Sequence, residues 1–308
     1  MFKKILEDIE DGKASCLELN LARKDGNLHI IRRFLPPQRL ILLGGGHVAK
    51  PVCEVASKVE YDVIVVDDRP EFANRIRFPE AKKVFCDGFE QAITKLKITP
   101  YDYVAVITRG HKKDAECLRI LLEQNMPFYL GLIGSKRRVR GLFDLLQEEG
   151  HDKELLDKIH TPIGLSIGAI TPEEIAISIV AELIQCRRKQ NAAASKRDVL
   201  VQENTDMELL RYLANPGEPA AYAIVLETKG STPVKSGAIM AVNEIGKIYG
   251  TIGGGCSEHA LMREALEVIK SGESKVITAD MTNDIAETEG MVCGGKMEVY
   301  IKKLKGKE

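Results

Sequence analysis

Residues 39–59 read RLILLGGGHVAKPVCEVASKV. RLILL is a short, unbroken apolar run, the form taken by a strand buried on both faces of a parallel sheet. A glycine loop follows, then a stretch with the composition of a helix. Gly44, Gly46 and Ala49 fit the G-x-G-x-x-G/A spacing. The first glycine permits a tight turn, the second lets a phosphate approach the backbone, and the third, small position lets the helix pack close to the strand. A second apolar strand, YDVIVVDD (61–68), comes at the distance of a strand–helix–strand unit. It ends in Asp67 and Asp68, where a carboxylate can accept from a ribose hydroxyl. The alternation continues through KKVFCDG (82–88), YDYVAVITR (101–109), the helix DAECLRILLEQ (114–124) and FYLGLIGS (128–135). TPEEIAISIVAELIQCRRK (171–189) opens with a capping box between Thr171 and Glu174, with Pro172 at the first helical position. Strands alternating with helices predict an α/β, Rossmann-like, doubly wound parallel sheet.

In such sheets ligands bind outside the carboxyl ends of the strands. GGGHVA, DDR, TRGHKKD and LIGSKRR all fall there. Arg69, Arg109, His111, Lys112, Lys136, Arg137 and Arg138 are therefore expected at one edge. Singly they read as solvated loop charge; together they suit an anionic nucleotide or another phosphate-bearing cofactor. His47 lies within the glycine loop, where it either contacts a ligand or only caps the loop. His111 and Asp114 share a helix face, which by itself is a weak metal signal. The first 35 residues read as two strands joined across Asp25-Gly26, a hairpin signal. The hairpin (14–35) is expected to pack beside the parallel sheet.

The division expected is 1–190 for the Rossmann-like domain, 191–199 for a linker of composition NAAASKRD, and 200–308 for a second, smaller α/β domain. The second domain carries GSTPVKSG (230–237), with Ser231 and Lys235, then GTIGGGCSEH (250–259) and later MVCGGK (291–296). Gly253, Gly254 and Gly255 immediately precede Cys256, which sits at or near a helix start. There unpaired amides and the helix dipole hold anions and favour a thiolate. Cys293 is a second thiol beside consecutive glycines. The plain structural reading is tight turns with packed cysteines. A Cys–Cys–His zinc site with His259 lacks four-ligand spacing. Glu258 can carry protons beside Cys256, or simply place a favourable charge in a first helical turn.

Composition narrows the classes. The chain has 308 residues, 44% hydrophobic and 29% charged, with net charge −1. That supports two cores and gives no basic footprint for nucleic acid. No apolar run reaches the roughly 20 residues of a membrane span. MFKKILEDIEDGK lacks the apolar core of a signal peptide, so the cytoplasm is expected. Seven scattered cysteines without a C-x-x-C pair argue against a disulfide framework, and Cys53, Cys86, Cys117 and Cys186 read as small core residues. A homodimer is the default assembly.

These motifs together resemble the XdhC/CoxI family, the maturation factors of xanthine dehydrogenase, carbon monoxide dehydrogenase and related molybdenum hydroxylases. GSTPVKSGAIM (230–240), GTIGGGCSE (250–258) and CGG (293–295) are similar to its glycine–cysteine domain. LILLGGGHVAKPV (40–52), VIVVDDRPEFANRIRFPEA (63–81), GHKKDAECL (110–118), LGLIGSKRR (130–138) and PIGLSIGAITPEEIAISIVAEL (162–183) are similar to its Rossmann domain. The order is reversed relative to the usual arrangement. The resemblance implies an accessory protein rather than a stand-alone enzyme. It would bind the molybdenum cofactor, as molybdopterin or its dinucleotide form, protect it during sulfuration and pass it to an apo molybdenum hydroxylase, with a cysteine desulfurase as a further partner. It also implies Cys256 as a molybdenum contact, Cys293 as a second ligand or sulfur relay, and a Rossmann half holding the dinucleotide's nucleotide or NAD(P). The competing readings are an NAD(P)-dependent oxidoreductase, against which no Tyr/Lys pair at helical spacing is found, and a nucleotide-sensing regulatory module.

Overall fold

The computed structural model describes residues 1–23, 26–194, 199–201, 205–253, 256–280 and 295–304. The chain forms two units, one of Pro37–Gln190 and one of Met1–Pro36 with Asn191–Glu308. It starts with helix α1 (Phe2–Glu10) and the antiparallel strands β1 (Ser15–Arg23) and β2 (Gly26–Phe34), paired from Ser15–Phe34 to Arg23–Gly26. Residues 24 and 25, where the hairpin turn was expected, lie outside the described residues.

Pro37–Gln190 holds β3 (Arg39–Leu43), α2 (Ala49–Lys58), β4 (Asp62–Asp67), β5 (Lys83–Cys86), α3 (Phe89–Leu96), β6 (Tyr103–Val106), α4 (His111–Glu123), β7 (Tyr129–Leu132), α5 (Lys136–Glu148) and α6 (Lys153–Leu156); α7 (Pro172–Ala194) follows. The sheet runs β5-β4-β3-β6-β7, and every neighbouring pair is parallel. RLILL explains its central strand. Leu40 and Leu42 enter one core layer, Ile41 and Leu43 the other, and all four are fully buried. Chain order reverses between β3 and β6, which opens a crevice at their carboxyl ends. The capping box of α7 forms as expected: Glu174 N donates to Thr171 Oγ1 at 3.3 Å, and Thr171 N to Glu174 Oε2 at 3.1 Å. Cys53 and Cys117 are buried, but Cys86 is exposed on the edge strand β5, which corrects its reading as a core residue.

The other unit adds β8 (Val199–Val201), α8 (Met207–Ala214), β9 (Ala220–Lys229), β10 (Ile239–Asn243), β11 (Ile248–Gly250), α9 (Cys256–Ser271), β12 (Lys275–Asp280) and β13 (Lys296–Lys303). Its larger sheet is antiparallel, ordered β11-β10-β9-β13-β12. The central strand β9 is apolar on both faces. Ala221, Ala223 and Val225 pack with Leu261, Ala265 and Val268 of α9. Tyr222, Ile224 and Leu226 pack with Phe2, Ile5 and Ile9 of α1, Leu17 and Phe34 of the hairpin, and Leu209 and Leu213 of α8.

This corrects the placement of the hairpin. It belongs to the other unit: β2 pairs with β8, in parallel, and the three strands form their own sheet. The reason is burial. A sheet with two apolar faces needs two covers, and α1 with the hairpin supplies part of the second. The first 36 residues therefore belong with the C-terminal part, not with residues 37–190. Among the described residues no helix is long and apolar enough to cross a membrane.

Candidate functional site

In the unit containing β9, two glycine segments approach one loop. The loop joins β9 to β10 and contains Ser231, Thr232 and Pro233. Gly253, with φ +119°, lies so close to it that an added Cβ would fall 2.2 Å from Pro233 Cγ. A Cβ on Gly295 would fall 2.5 Å from Ser231 O and 2.6 Å from Thr232 Cγ2. Both distances are inside any tolerable contact, so these two glycines are required by packing. Residues 231–233 are thus clamped between the segment that leads into Cys256 and the segment that leaves Cys293. Gly254, Gly255, Cys293 and the side chain of Cys256 lie outside the described residues; the backbone of Cys256 opens α9.

Glu258 reaches back from the first turn of α9. Its Oε1 accepts from Thr251 Oγ1 at 2.7 Å and from Ile252 N at 3.2 Å, while Gly253 N donates to Thr251 Oγ1 at 3.0 Å. It ties the first turn of α9 to Thr251 and Ile252. A cleft of about 460 Å³ beside the loop is lined by Thr228, Ser231, Thr232, Lys235 and Ser236. Behind it Arg32, 2% exposed, donates from Nε to Gly237 O at 2.6 Å and from its guanidinium to Arg33 O. Burial pushes this guanidinium down to about 9. Sequence reading missed Arg32. Its signal was a charge at an inward-facing position of β2, between the buried Ile30 and Phe34.

In the unit Pro37–Gln190, the glycine loop lies between β3 and α2. Gly44 has φ +117°, and a Cβ there would meet Ile107 O at 2.3 Å. A Cβ on Gly45 would meet Phe72 O at 2.1 Å, while around Gly46 there is open space. Ala49 is buried at the start of α2, where a small residue lets the helix approach the sheet. The crevice, of about 330 Å³, is lined by Gly46, His47, Arg69, Phe72, Thr108 and Arg109 among others.

Asp67 is committed to the loop itself. It accepts from Gly45 N at 2.8 Å, from Arg69 N at 3.1 Å and from Arg69 Nε at 2.8 Å. Burial alone would raise its carboxyl, but the bonds from Arg69 and Gly45 overbalance it and hold Asp67 below the ordinary 3.8. Asp68 forms a two-pronged pair with Arg109, both contacts 3.1 Å. Each expected ribose acceptor is therefore already paired with an arginine, Asp67 with Arg69 and Asp68 with Arg109. Arg69 also lies over the Phe72 ring at 3.8 Å, and Arg77 donates to Gly45 O at 3.0 Å and Gly46 O at 3.1 Å. Phe72 and Arg77 were missed because they act through stacking and backbone carbonyls, which leave no spacing signature.

The structure brings Gly46, His47, Arg69 and Arg109 together but puts His111 elsewhere, in a neighbouring cleft with Arg138, whose Nε donates to His111 Nδ1 at 3.2 Å. Asp114, beside it, is 1% exposed and accepts from Thr108 Oγ1 and Arg138 Nη2, each at 2.5 Å. Among the described residues no three His, Cys, Asp or Glu side chains gather into a metal-holding group.

Residues 40–183 match the XdhC Rossmann domain, and residues 213–280 match the XdhC and CoxI family. The chain is 33% identical over 182 residues to a probable xanthine dehydrogenase subunit of Bacillus subtilis (strain 168), covering 59% of this chain and 53% of that protein. It is 31% identical over 209 residues to the uncharacterized protein YqeB of Escherichia coli (strain K12), covering 68% of this chain and 35% of that protein. The chain thus spans about half or less of the curated relatives it matches. A crystal structure described as a xanthine dehydrogenase from Bacillus halodurans is 29% identical, with a TM-score of 0.53 over 63% of this chain and 68% of that one.

Proposed function

Because the chain carries both domains of the XdhC and CoxI family, the Rossmann domain first, we propose that it is a maturation factor for a molybdenum hydroxylase of the xanthine dehydrogenase type. In this role it binds the molybdenum cofactor, presents it for sulfuration and hands it to the apo-hydroxylase, with a cysteine desulfurase as the source of sulfur. The supporting observation is the clamping of Ser231–Pro233 between Gly253 and Gly295, which gathers the two glycine–cysteine segments on one loop.

The residues there fit such a group. The cleft is lined by hydroxyls and the ammonium of Lys235, a donor set for a phosphate. When bound, the cofactor supplies a soft, sulfur-ligated molybdenum centre. On this reading Ser231 and Lys235 hold its phosphate end, and Cys256, opening α9, offers the kind of donor that soft metals take. Glu258 keeps the turn in place, and Cys293 is the second thiol. The glycine-loop crevice, with Arg69 and Arg109, takes the nucleotide of a dinucleotide cofactor or a separate NAD(P).

The test is equilibrium binding of purified molybdenum cofactor to the unsubstituted chain and to Cys256→Ala, with NAD and NADP as controls. Tight cofactor binding that weakens sharply in the variant is expected. Binding of NAD or NADP alone, indifferent to Cys256, would move the function to an NAD(P)-dependent oxidoreductase or a nucleotide sensor.

A further inference from the structure

Beside the glycine-loop crevice, and separate from it, α4 and α5 part to leave a cleft of about 830 Å³. The segment 107–112 divides the two spaces: Thr108 and Arg109 line the crevice, His111 and Lys112 the cleft. Apolar and cationic side chains share its lining: Leu142 and Leu145, the latter 41% exposed, with Lys112, Arg137 and Arg138 beside His111.

The charges are not equally available. Arg138 is held by Asp114 and His111. Arg119, at one end, is paired with Glu149 through two contacts of 2.7 Å. Lys112 and Arg137 have no ion pair or side-chain hydrogen bond among the described residues, and no carboxylate lines the cleft. Two uncompensated cations therefore share a concave space with two leucine side chains. The volume lies in the range of small-molecule sites, and a guanidinium with an ammonium is the donor pair that phosphate oxygens accept from. A nucleic-acid partner would want a flatter, wider basic surface than this concave space.

We propose that the cleft between α4 and α5 is a second ligand site, distinct from the glycine-loop crevice, for a small phosphate-bearing molecule with an apolar body, of the nucleoside phosphate class. The phosphate lies against Lys112 and Arg137, and the body against Leu142 and Leu145.

The chain contains no tryptophan, so Leu145→Trp places its only indole, excited apart from the tyrosines, in the cleft. ADP, adenosine and inorganic pyrophosphate are titrated into the full chain carrying it. A saturable emission change with ADP is expected, at least about tenfold weaker with adenosine, as loss of one charged hydrogen bond implies. Adding Lys112→Ala and Arg137→Ala weakens the ADP response by about tenfold or more, whereas adding Arg69→Ala in the crevice leaves it within about twofold. Both cleft residues are exposed, so the far-ultraviolet circular dichroism stays unchanged. Equilibrium dialysis of ADP on the chain without the fluorophore, with and without the Lys112→Ala/Arg137→Ala pair, guards against the indole blocking the cleft. The proposal is overturned if dialysis shows equal ADP retention in both, or if the emission change ignores the pair or follows Arg69→Ala.

Discussion

At Gly253 two constraints coincide: a left-handed φ of +119° and a loop atom 2.2 Å from where a Cβ would sit. Either alone disfavours a side chain; together they leave no relaxed conformer. Gly253→Ala is expected to lower stability by about 1–3 kcal/mol and to displace Pro233, because the neighbour in its way is a rigid ring. The midpoint of urea unfolding measures this, and an unchanged midpoint would refute the packing role. Asp67 carries a different kind of prediction. Its carboxyl is held below the ordinary 3.8 in the folded chain, so its ionised form favours the fold. The contribution is complete above the unfolded value and fades as pH falls through the folded one. Asp67→Asn should therefore cost about 1–3 kcal/mol at pH 7, and the gap to the unsubstituted chain should narrow below about pH 4. Urea unfolding at pH 7 and pH 3 gives both numbers; a gap that widened in acid would contradict the assignment of Asp67 as a loop anchor.

Strands differ in how much of their surroundings the sequence discloses. RLILL could be read as a central parallel strand because its neighbours in the sheet come from adjoining segments with the same pattern and a glycine loop at their head. The edge cluster of GGGHVA, DDR and TRGH was legible for the same reason, since parallel order fixes which strand ends share an edge. The run AYAIVL in β9 was equally apolar on both faces, yet its covers could not be read from it. One lies in α9, some 35 residues on, and much of the other in α1 and the hairpin, roughly 200 residues away, and no periodicity encodes that pairing. The same limit hid Arg77, which serves the glycine loop from 31 residues downstream through carbonyls any side chain could leave in place. The cover from α1 is testable. Phe2, 4% exposed, meets Tyr222 edge to face at 5.3 Å between centroids. Phe2→Ala should cost about 3–5 kcal/mol. Hydrogen exchange should locate the loss in β9 and β13 and leave β3 and β6 protected; equal loss in both sheets would tie α1 to the parallel sheet after all.

On the scale of the whole chain, the division at Pro37 and Gln190 has a consequence for autonomy that the expected division at 190/191 does not share. Pro37–Gln190 has a five-stranded parallel sheet covered on both faces by its own helices, and among the described residues both core layers are built from its own side chains. A fragment of 37–190 should fold alone with a cooperative thermal transition. A fragment of 191–308 keeps α9 over one face of β9 but loses α1 and the hairpin from the other, uncovering Tyr222, Ile224 and Leu226. Each such side chain left in water forfeits about 1.5–3 kcal/mol, a sum comparable to the whole stability of a small domain. That fragment should aggregate or bind a hydrophobic dye, and joining residues 1–36 to its N-terminus through a flexible linker should restore a single cooperative transition. Circular dichroism melts of the three fragments decide the matter. If 191–308 melts cooperatively without residues 1–36, then α8 and β8 suffice as the second cover, and the N-terminal segment is an appendage to this unit rather than part of its core.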